Sequence, residues 1–118
     1  MKTGGDTKFK IFFLPTFKKE SNRILTKIEI EYLLDYLPKL EKVGNLIGKP
    51  LGPNYLREFK FSSERVYFLV YIDIMIILFV ASGKKTSKKS QQKLIDKIRM
   101  RLPEFKKYAY ELRRQSKY

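Results

Sequence analysis

The run LREFKFSSERVYFLVY, residues 56–71, decides the fold of this chain. Apolar residues alternate with polar or charged residues on both sides of a serine pair, which is the pattern of two β-strands joined by a turn. We therefore predict strands at residues 55–61 and 65–72 around Ser62-Ser63-Glu64. A third apolar run, residues 74–81, predicts the next strand, although Asp73 lacks the Asn-Gly signal of a tight hairpin.

A turn centred on the two serines fixes which residues of the first two strands face each other. Lys60 then pairs with Arg65, Glu58 with Tyr67 and Leu56 with Leu69, so that these six side chains share one side of the sheet. The other side carries an apolar set, Phe59, Phe61, Val66, Phe68 and Val70. We expect the N-terminal helices to bury the apolar side and to leave a polar patch on the opposite side.

The remaining sequence adds one strand and two groups of helices. Residues 8–14 predict a strand that ends at Pro15, and the Thr26–Glu29 capping box opens a helix that Pro38 ends or kinks. A loop is expected at residues 44–53, and a basic loop at residues 84–89. Ser90 is expected to cap a helix with the apolar stripe Leu94, Ile95, Ile98 and Leu102.

The order of elements is β-α-α-β-β-β-α(-α), which predicts a single α+β domain built on a small antiparallel sheet. The N-terminal helix pair covers the sheet, a C-terminal helix follows it, and residues 103–118 form a basic C-terminal extension. Residues 66–81 are apolar apart from Asp73, but this run is shorter than a membrane-spanning helix and rich in strand-forming residues. We therefore expect two strands here, no membrane segment and a cytoplasmic protein, since the polar N-terminus lacks a signal peptide.

Positive charge is the strongest compositional feature. The chain has 26 basic and 12 acidic residues among 118, and residues 84–118 alone hold 13 basic residues against 3 acidic ones. Such an uneven field attracts a polyanion, so we expect nucleic acid or a ribonucleoprotein as the partner. A merely solubilising, lysine-rich surface and an anionic membrane are the alternatives.

The residue types that are absent limit the chemistry. The chain has no cysteine and no histidine, which excludes disulfides, Cys/His zinc sites and a histidine base. Gly83-Lys84-Lys85-Thr86 lacks the upstream glycine of a phosphate-binding loop, and the carboxylates show no metal-ligand spacing, so we expect no cofactor.

The predicted polar patch suits phosphodiester chemistry. Cleavage of RNA by its own 2′-hydroxyl needs cations on the phosphate oxygens together with an acid and a base. Lys60, Arg65 and Lys85 can supply the cations, while Glu58 or Tyr67 can move a proton. The alternative is ordinary surface pairing, in which Glu58 only bridges the basic side chains of the neighbouring strand.

Three segments together resemble toxins of the RelE/ParE/HigB superfamily. They are LREFKF (residues 56–61), ERVYFLVY (residues 64–71) and SGKKTSKKSQQ (residues 82–92), and the resemblance extends over roughly residues 8–102. It implies a RelE-like fold and a ribosome-dependent endoribonuclease that cuts mRNA by 2′-hydroxyl attack in a basic groove. It also implies that an antitoxin protein silences the toxin.

The resemblance also assigns roles to residues. Arg65 matches the family arginine that contacts the reacting phosphate, Lys85 a second phosphate-binding residue, and Lys60 and Glu58 the Glu-Leu-Arg strand. We expect the residues around them to bind RNA; they are Lys84, Lys88, Lys89, Tyr67 and Gln91. ParE-like members direct the same fold against DNA gyrase without cutting RNA, and Gln91 stands where RelE has a tyrosine. A non-catalytic binder therefore remains the second hypothesis.

Overall fold

The structure is a computed structural model that describes residues 8–43, 47–61, 63–84 and 86–115. Its elements, in chain order, are β1 (Lys10–Phe13), α1 (Pro15–Ile24), α2 (Lys27–Val43), β2 (Lys49–Pro50), β3 (Leu56–Lys60), β4 (Glu64–Tyr71), β5 (Ile76–Lys84), α3 (Lys88–Met100) and α4 (Leu102–Gln115). The predicted α+β class is confirmed, and so is the order of helices and strands, with the two-residue β2 as an addition inside the predicted loop.

One five-stranded sheet, in the order β1-β5-β4-β3-β2, organises the chain. The pairs β2–β3, β3–β4 and β4–β5 are antiparallel. Strand β1 runs parallel to β5, with Lys10 opposite Ile76, so the sheet is mixed and not wholly antiparallel as predicted. Along the chain, the helix pair α1–α2 lies between β1 and β2. In the sheet, these two strands form the opposite edges.

The register of the central hairpin is the one that the sequence predicts. Lys60 pairs with Arg65, Glu58 with Tyr67 and Leu56 with Leu69. Register between β4 and β5 shifts at Tyr67/Phe68, which leaves Val80 as an extra residue on β5. We call the side of the sheet that carries Phe59 and Val66 the α1 face, and the side that carries Glu58 and Tyr67 the α3 face.

Aromatic rings pack the α1 face against the N-terminal helices. Phe79 lies 5.1 Å from Phe68 and 5.4 Å from Phe17 of α1, measured between ring centroids. Phe59 meets Tyr36 of α2 edge to face at 5.0 Å. Burial of this apolar side under α1 and α2 is therefore confirmed, and it supplies the hydrophobic driving force for docking the helix pair.

The α3 face is covered as well, and here the expectation of an open polar patch is wrong. Leu94 of α3 lies so close to Gly83 that a Cβ atom on this glycine would stand 2.8 Å from Leu94 Cδ2. Ile95 and Ile98 of α3, with Phe105 and Ala109 of α4, are buried against the sheet. The residues predicted as a C-terminal extension thus include a helix that closes the core.

Helix ends follow local capping chemistry, with one difference from the prediction at the start of α3. The Thr26–Glu29 capping box is confirmed: each side chain bonds the other residue's backbone N–H, at 3.1 and 2.9 Å. Pro38 lies inside α2 and does not end it. Helix α3 is capped by Ser87, while Ser90 is the third helical residue of that capping box. Within the described ranges, no helix is both long and apolar enough to cross a bilayer.

Candidate functional site

Three polar side chains from β3, β4 and α3 meet on the α3 face. Glu58 Oε2 accepts a hydrogen bond from Gln91 Nε2 at 2.5 Å and lies 4.0 Å from Arg65 Nε. Arg65 also donates from Nη1 to the backbone carbonyl of Glu64 at 3.0 Å. The hairpin register places the carboxylate and the guanidinium on the same side of neighbouring strands, and the start of α3 brings Gln91 to them.

Tyr67 of β4 is the fourth residue of this group. It is directly opposite Glu58 in the β3–β4 ladder and is almost wholly buried. Burial raises the pKa of the Tyr67 phenol, and the negative charge of Glu58 raises it further, while Gln91 and Arg65 act in the opposite direction. The phenol therefore keeps its proton at neutral pH and can serve as a donor beside the carboxylate. We call Glu58, Arg65, Tyr67 and Gln91 the polar cluster.

The polar cluster is closed to solvent in this structure. Glu58 and Arg65 each expose 7% of their side chains, and Gln91 is only partly exposed. The cause is α3, whose first turns lie over the ladder and whose Gln91 occupies the remaining space beside Glu58 Oε2. The surface ion pairing that we considered from the sequence is thus a buried ion pair, in which attraction is strong because water is excluded.

Lysines surround the cluster at the same end of the sheet. Lys60 is opposite Arg65, and Lys84 is opposite Glu64 one residue beyond Gly83. Lys88 and Lys89 form the first residues of α3. These four residues, which we call the rim lysines, are exposed. Because side chains alternate along a strand, Lys60 lies on the α3 face, whereas Lys84 points to the α1 face.

The sequence-predicted site is therefore brought together in part. Glu58, Arg65, Tyr67 and Gln91 are in contact or in the same ladder, while Lys60 lies at their margin. Lys85, predicted to bind a second phosphate oxygen, lies outside the described residues. In the part of the chain that the structure describes, no group of three or more acidic residues could hold a metal ion.

The contact between Gln91 and Glu58 could not be predicted from the sequence. The resemblance places Gln91 where a family tyrosine stands and predicts that it binds RNA, and the structure adds that its side chain donates to the buried Glu58 carboxylate. A hydrogen bond between residues 33 positions apart depends on how α3 docks, which no local pattern reveals. Long-range packing therefore determines which side chain Gln91 contacts.

A loop anchored by Arg57 supports the cluster from the other edge of the sheet. The Arg57 guanidinium donates to the carbonyls of Ile47 at 2.5 Å and Gly48 at 3.0 Å. Gly48 adopts a positive φ of 80°, and a Cβ atom there would lie 2.7 Å from the carbonyl oxygen of Glu58. The loop thus packs directly on the backbone that presents the Glu58 carboxylate.

Solved structures share this fold at low sequence identity. A free RelE toxin variant of Escherichia coli matches with a TM-score of 0.61 and 17% identity, over 77% of this chain and 98% of that chain. The isolated Escherichia coli RelE toxin gives 0.58 and 18%, over 76% and 98%. A chain of the RelBE2 toxin–antitoxin complex of Mycobacterium tuberculosis gives 0.56 and 11%, over 69% and 95%. No protein-family profile and no curated protein sequence matches the chain.

The fold is therefore that of the RelE-like toxins, as the three sequence segments predicted. This chain contains nearly the whole length of the matched structures, and its own additional length lies outside the match. At 11% to 18% identity the similarity shows a shared fold only. The chemistry of this chain depends on the residues of its own polar cluster.

Proposed function

We propose that this protein is the toxin of a toxin–antitoxin pair and that it cleaves mRNA on the ribosome. The observation that carries the proposal is the meeting of a carboxylate, a guanidinium and a phenol at one end of the sheet, framed by the rim lysines. Metal-independent cleavage of a phosphodiester needs a group that takes up and returns a proton and a cation that stabilises charge. The carboxylate and the guanidinium supply these two functions, and the phenol donates a hydrogen bond that orients the carboxylate.

In this mechanism Glu58 removes the proton of a ribose 2′-hydroxyl, and the resulting oxygen attacks the adjacent phosphorus. The bond from phosphorus to the 5′-oxygen breaks, leaving a 2′,3′-cyclic phosphate, and the 5′-oxygen takes the proton that Glu58 accepted, which restores the carboxylate. Arg65 stabilises the charge that develops on the non-bridging oxygens. Lys60, exposed beside Arg65, holds the neighbouring phosphate. Tyr67 retains its proton and orients the Glu58 carboxylate.

RNA reaches Glu58 only if the first turn of α3 moves away from the α3 face. Gln91 donates to the carboxylate oxygen that would accept the proton, so the closed arrangement is a resting state. The turn to be moved carries Lys88 and Lys89 and is held by the Ser87–Ser90 capping box, whose groups are exposed. Binding of phosphates to these lysines supplies the attraction that favours the open arrangement.

The proposed partners follow from charge and fold. A net charge of +14 suits a ribosome, whose surface is a polyanion. The Mycobacterium tuberculosis structure is a toxin–antitoxin complex, and an Escherichia coli RelE variant is known bound to a peptide of the antitoxin RelB. We propose that this chain, too, is held silent by an antitoxin protein.

A second candidate function is a non-catalytic binder with the same fold, directed at nucleic acid or at DNA gyrase. The observation that favours it is the burial of both Glu58 and Arg65, since a buried ion pair under a docked helix can be purely structural. In that case the rim lysines and the basic helices α3 and α4 would carry binding without cleavage.

The two functions differ in one experiment. Purified protein freed of antitoxin is added to ribosomes programmed with mRNA, and cleavage is mapped by primer extension. The proposal expects cuts that require the ribosome and carry a 2′,3′-cyclic phosphate. Lys42→Ala, which removes an exposed charge from α2 on the other layer, is the matched control and should cut like the wild type. Intact mRNA with bound protein would favour the non-catalytic binder.

A further inference from the structure

A second polar site lies at the opposite end of β4 from the polar cluster. A cavity of about 290 Å³ opens there between the β4–β5 turn and α4. Its lining residues are Tyr55, Val70, Tyr71, Ile72, Asp73, Lys106 and Tyr110. Since one water occupies about 30 Å³ of the liquid, the volume suits a ligand of about ten heavy atoms. We call this space the tyrosine cavity.

Aromatic faces form its walls. The rings of Tyr55 and Tyr71 have centroids 5.8 Å apart and planes tilted by 37°. This separation leaves no room for a third ring between them, so a planar ligand has to stack on an exposed ring. Tyr55 and Tyr110 both offer such a surface, each being 37% exposed. Stacking on tyrosine is the ordinary way in which proteins hold an unpaired nucleobase.

The polar groups in the cavity have unused hydrogen-bonding capacity. The Asp73 carboxylate accepts from the Tyr110 hydroxyl, but a carboxylate has about four lone-pair sites and can accept more. Tyr71 is buried, and its hydroxyl has no hydrogen-bond partner among the residues that the structure describes. A buried hydroxyl without a hydrogen-bond acceptor is destabilising. A ligand that supplies an acceptor would form this missing hydrogen bond, which favours its binding.

The arrangement of these groups selects among planar ligands. Guanine presents an acceptor, O6, next to two donors, N1–H and N2–H, on one edge. Asp73 can accept from both donors while the Tyr71 hydroxyl donates to O6. Adenine would direct its N1 lone pair at the carboxylate, and uracil offers a single donor. Lys106, whose ammonium lies 5.9 Å from the centre of the Tyr110 ring, opposes a cationic ligand and favours a phosphate.

We propose that the tyrosine cavity binds the guanine base of a single-stranded RNA. Asp73 reads the base, Tyr55 stacks on it, Tyr71 donates to O6, and Lys106 contacts the attached phosphate. The source of the guanine, an RNA strand, rests on the proposed function, but recognition of the base does not require cleavage. The cavity and the polar cluster share β4, with five residues between Arg65 and Tyr71 along the strand, so one strand of RNA can span both.

The test uses free nucleotides and the full chain. GMP and AMP are titrated by calorimetry at low salt, and GMP is expected to bind saturably and at least about tenfold more tightly than AMP, as for one bidentate base contact. Asp73→Asn should abolish this preference, and Tyr55→Ala should weaken GMP about tenfold. Asp96→Asn, at an exposed carboxylate on α3, is the matched control and should retain the preference. Equal binding of AMP and GMP, or no saturation by GMP, would overturn the proposal.

Two further variants separate this site from folding and from cleavage. Tyr71→Phe removes the unpartnered hydroxyl, so GMP binding should weaken while the melting temperature stays level or rises; a fall in both would assign Tyr71 a structural role and contradict the proposal. Glu58→Gln should leave GMP binding unchanged. If wild-type protein binds GMP but leaves mRNA intact, the guanine site stands and the proposed nuclease falls. If it cleaves mRNA but does not bind GMP, the reverse holds.

Discussion

Glu58 and Arg65 face each other diagonally across the β3–β4 ladder, with Oε2 and Nε 4.0 Å apart and each side chain 7% exposed. Removing two charges from water is costly, and their attraction offsets much of that cost only when further hydrogen bonds help. Gln91 supplies one such bond to Glu58, and the carbonyl of Glu64 accepts one from Arg65. The pair is therefore specific in geometry without being a large source of stability.

The interdependence of the pair can be measured directly. Arg65→Met leaves the Glu58 carboxylate buried without its counter-charge and should lower the free energy of unfolding by about 3–5 kcal/mol. The double variant Glu58→Gln/Arg65→Met removes both charges and should recover a large part of this loss. Urea denaturation of the two single variants and the double variant closes the cycle. Strictly additive effects would show that the two side chains do not interact.

Glu58→Gln tests the base without removing the side chain that Gln91 contacts. An amide cannot take the proton of a 2′-hydroxyl, so mRNA cleavage should slow by about 10²–10⁴-fold. Ribosome binding should change little, because the lost interaction belongs to the chemical step. Single-turnover cleavage and a sedimentation assay with ribosomes measure the two quantities. Cleavage at the wild-type rate would remove Glu58 from the mechanism.

Much of this arrangement was predictable because it depends on strand alternation. The serine pair at residues 62–63 and the apolar residues around it fix the β3–β4 register, and that register alone places Glu58, Lys60 and Arg65 on one side of the sheet. A slip of one residue would have turned the apolar set towards solvent, so the sequence had a single self-consistent solution. Fold class and the ladder therefore follow from local pattern.

The local sequence pattern does not predict that α3 covers the β3–β4 ladder. Helix α3 has an apolar stripe that needs a surface, yet nothing near residue 91 tells which side of the sheet it meets. The missing side chain at Gly83 lets Leu94 approach β5, and this contact helps to dock α3 on the face that carries the polar cluster. The parallel pairing of β1 with β5 is likewise a long-range choice. The exposure of a site depends on how helices dock on the sheet, and the alternation of apolar and polar residues along a strand does not predict this docking.

Salt dependence distinguishes the contributions of the rim lysines. Binding to single-stranded RNA should weaken with salt, and each neutralised phosphate adds about −0.7 to the slope of log K against log salt. Lys60→Ala and Lys88→Ala should each make the slope shallower by about that amount. Lys42→Ala on α2 should leave it unchanged. Fluorescence anisotropy at several salt concentrations gives the slopes, and identical slopes for all three variants would place the RNA elsewhere on the chain.

Alkaline pH should destabilise the fold through its buried phenols. Burial, followed by the charge of Glu58, raises the pKa of Tyr67 above its usual value of about 10. The folded state then holds a proton that the unfolded chain releases, so stability is complete below about pH 10 and falls as pH rises beyond it, by up to about 1.4 kcal/mol per pH unit for each such tyrosine. Tyr67→Phe should flatten this decline in urea denaturation. Tyr108→Phe, at an exposed tyrosine of α4, controls for the chemical change.

Gly48→Ala tests the loop that packs on the backbone of Glu58. Gly48 has a φ of 80°, and an added Cβ would lie 2.7 Å from the Glu58 carbonyl oxygen, a backbone atom that cannot turn aside. Because β3 is paired on both edges, the loop has to shift instead, and we expect a loss of about 1–3 kcal/mol in the free energy of unfolding.

Gly52→Ala is the matched control for this substitution in the same connection between α2 and β3. Its added Cβ would meet only the end of the Arg99 side chain, at an ordinary contact distance of 3.7 Å. Replacing that glycine should therefore be neutral or stabilising by up to about 1 kcal/mol, through the reduced entropy of the unfolded chain. Urea denaturation compares the two variants. Equal stability of the two variants would show that the loop does not pack tightly on the Glu58 carbonyl.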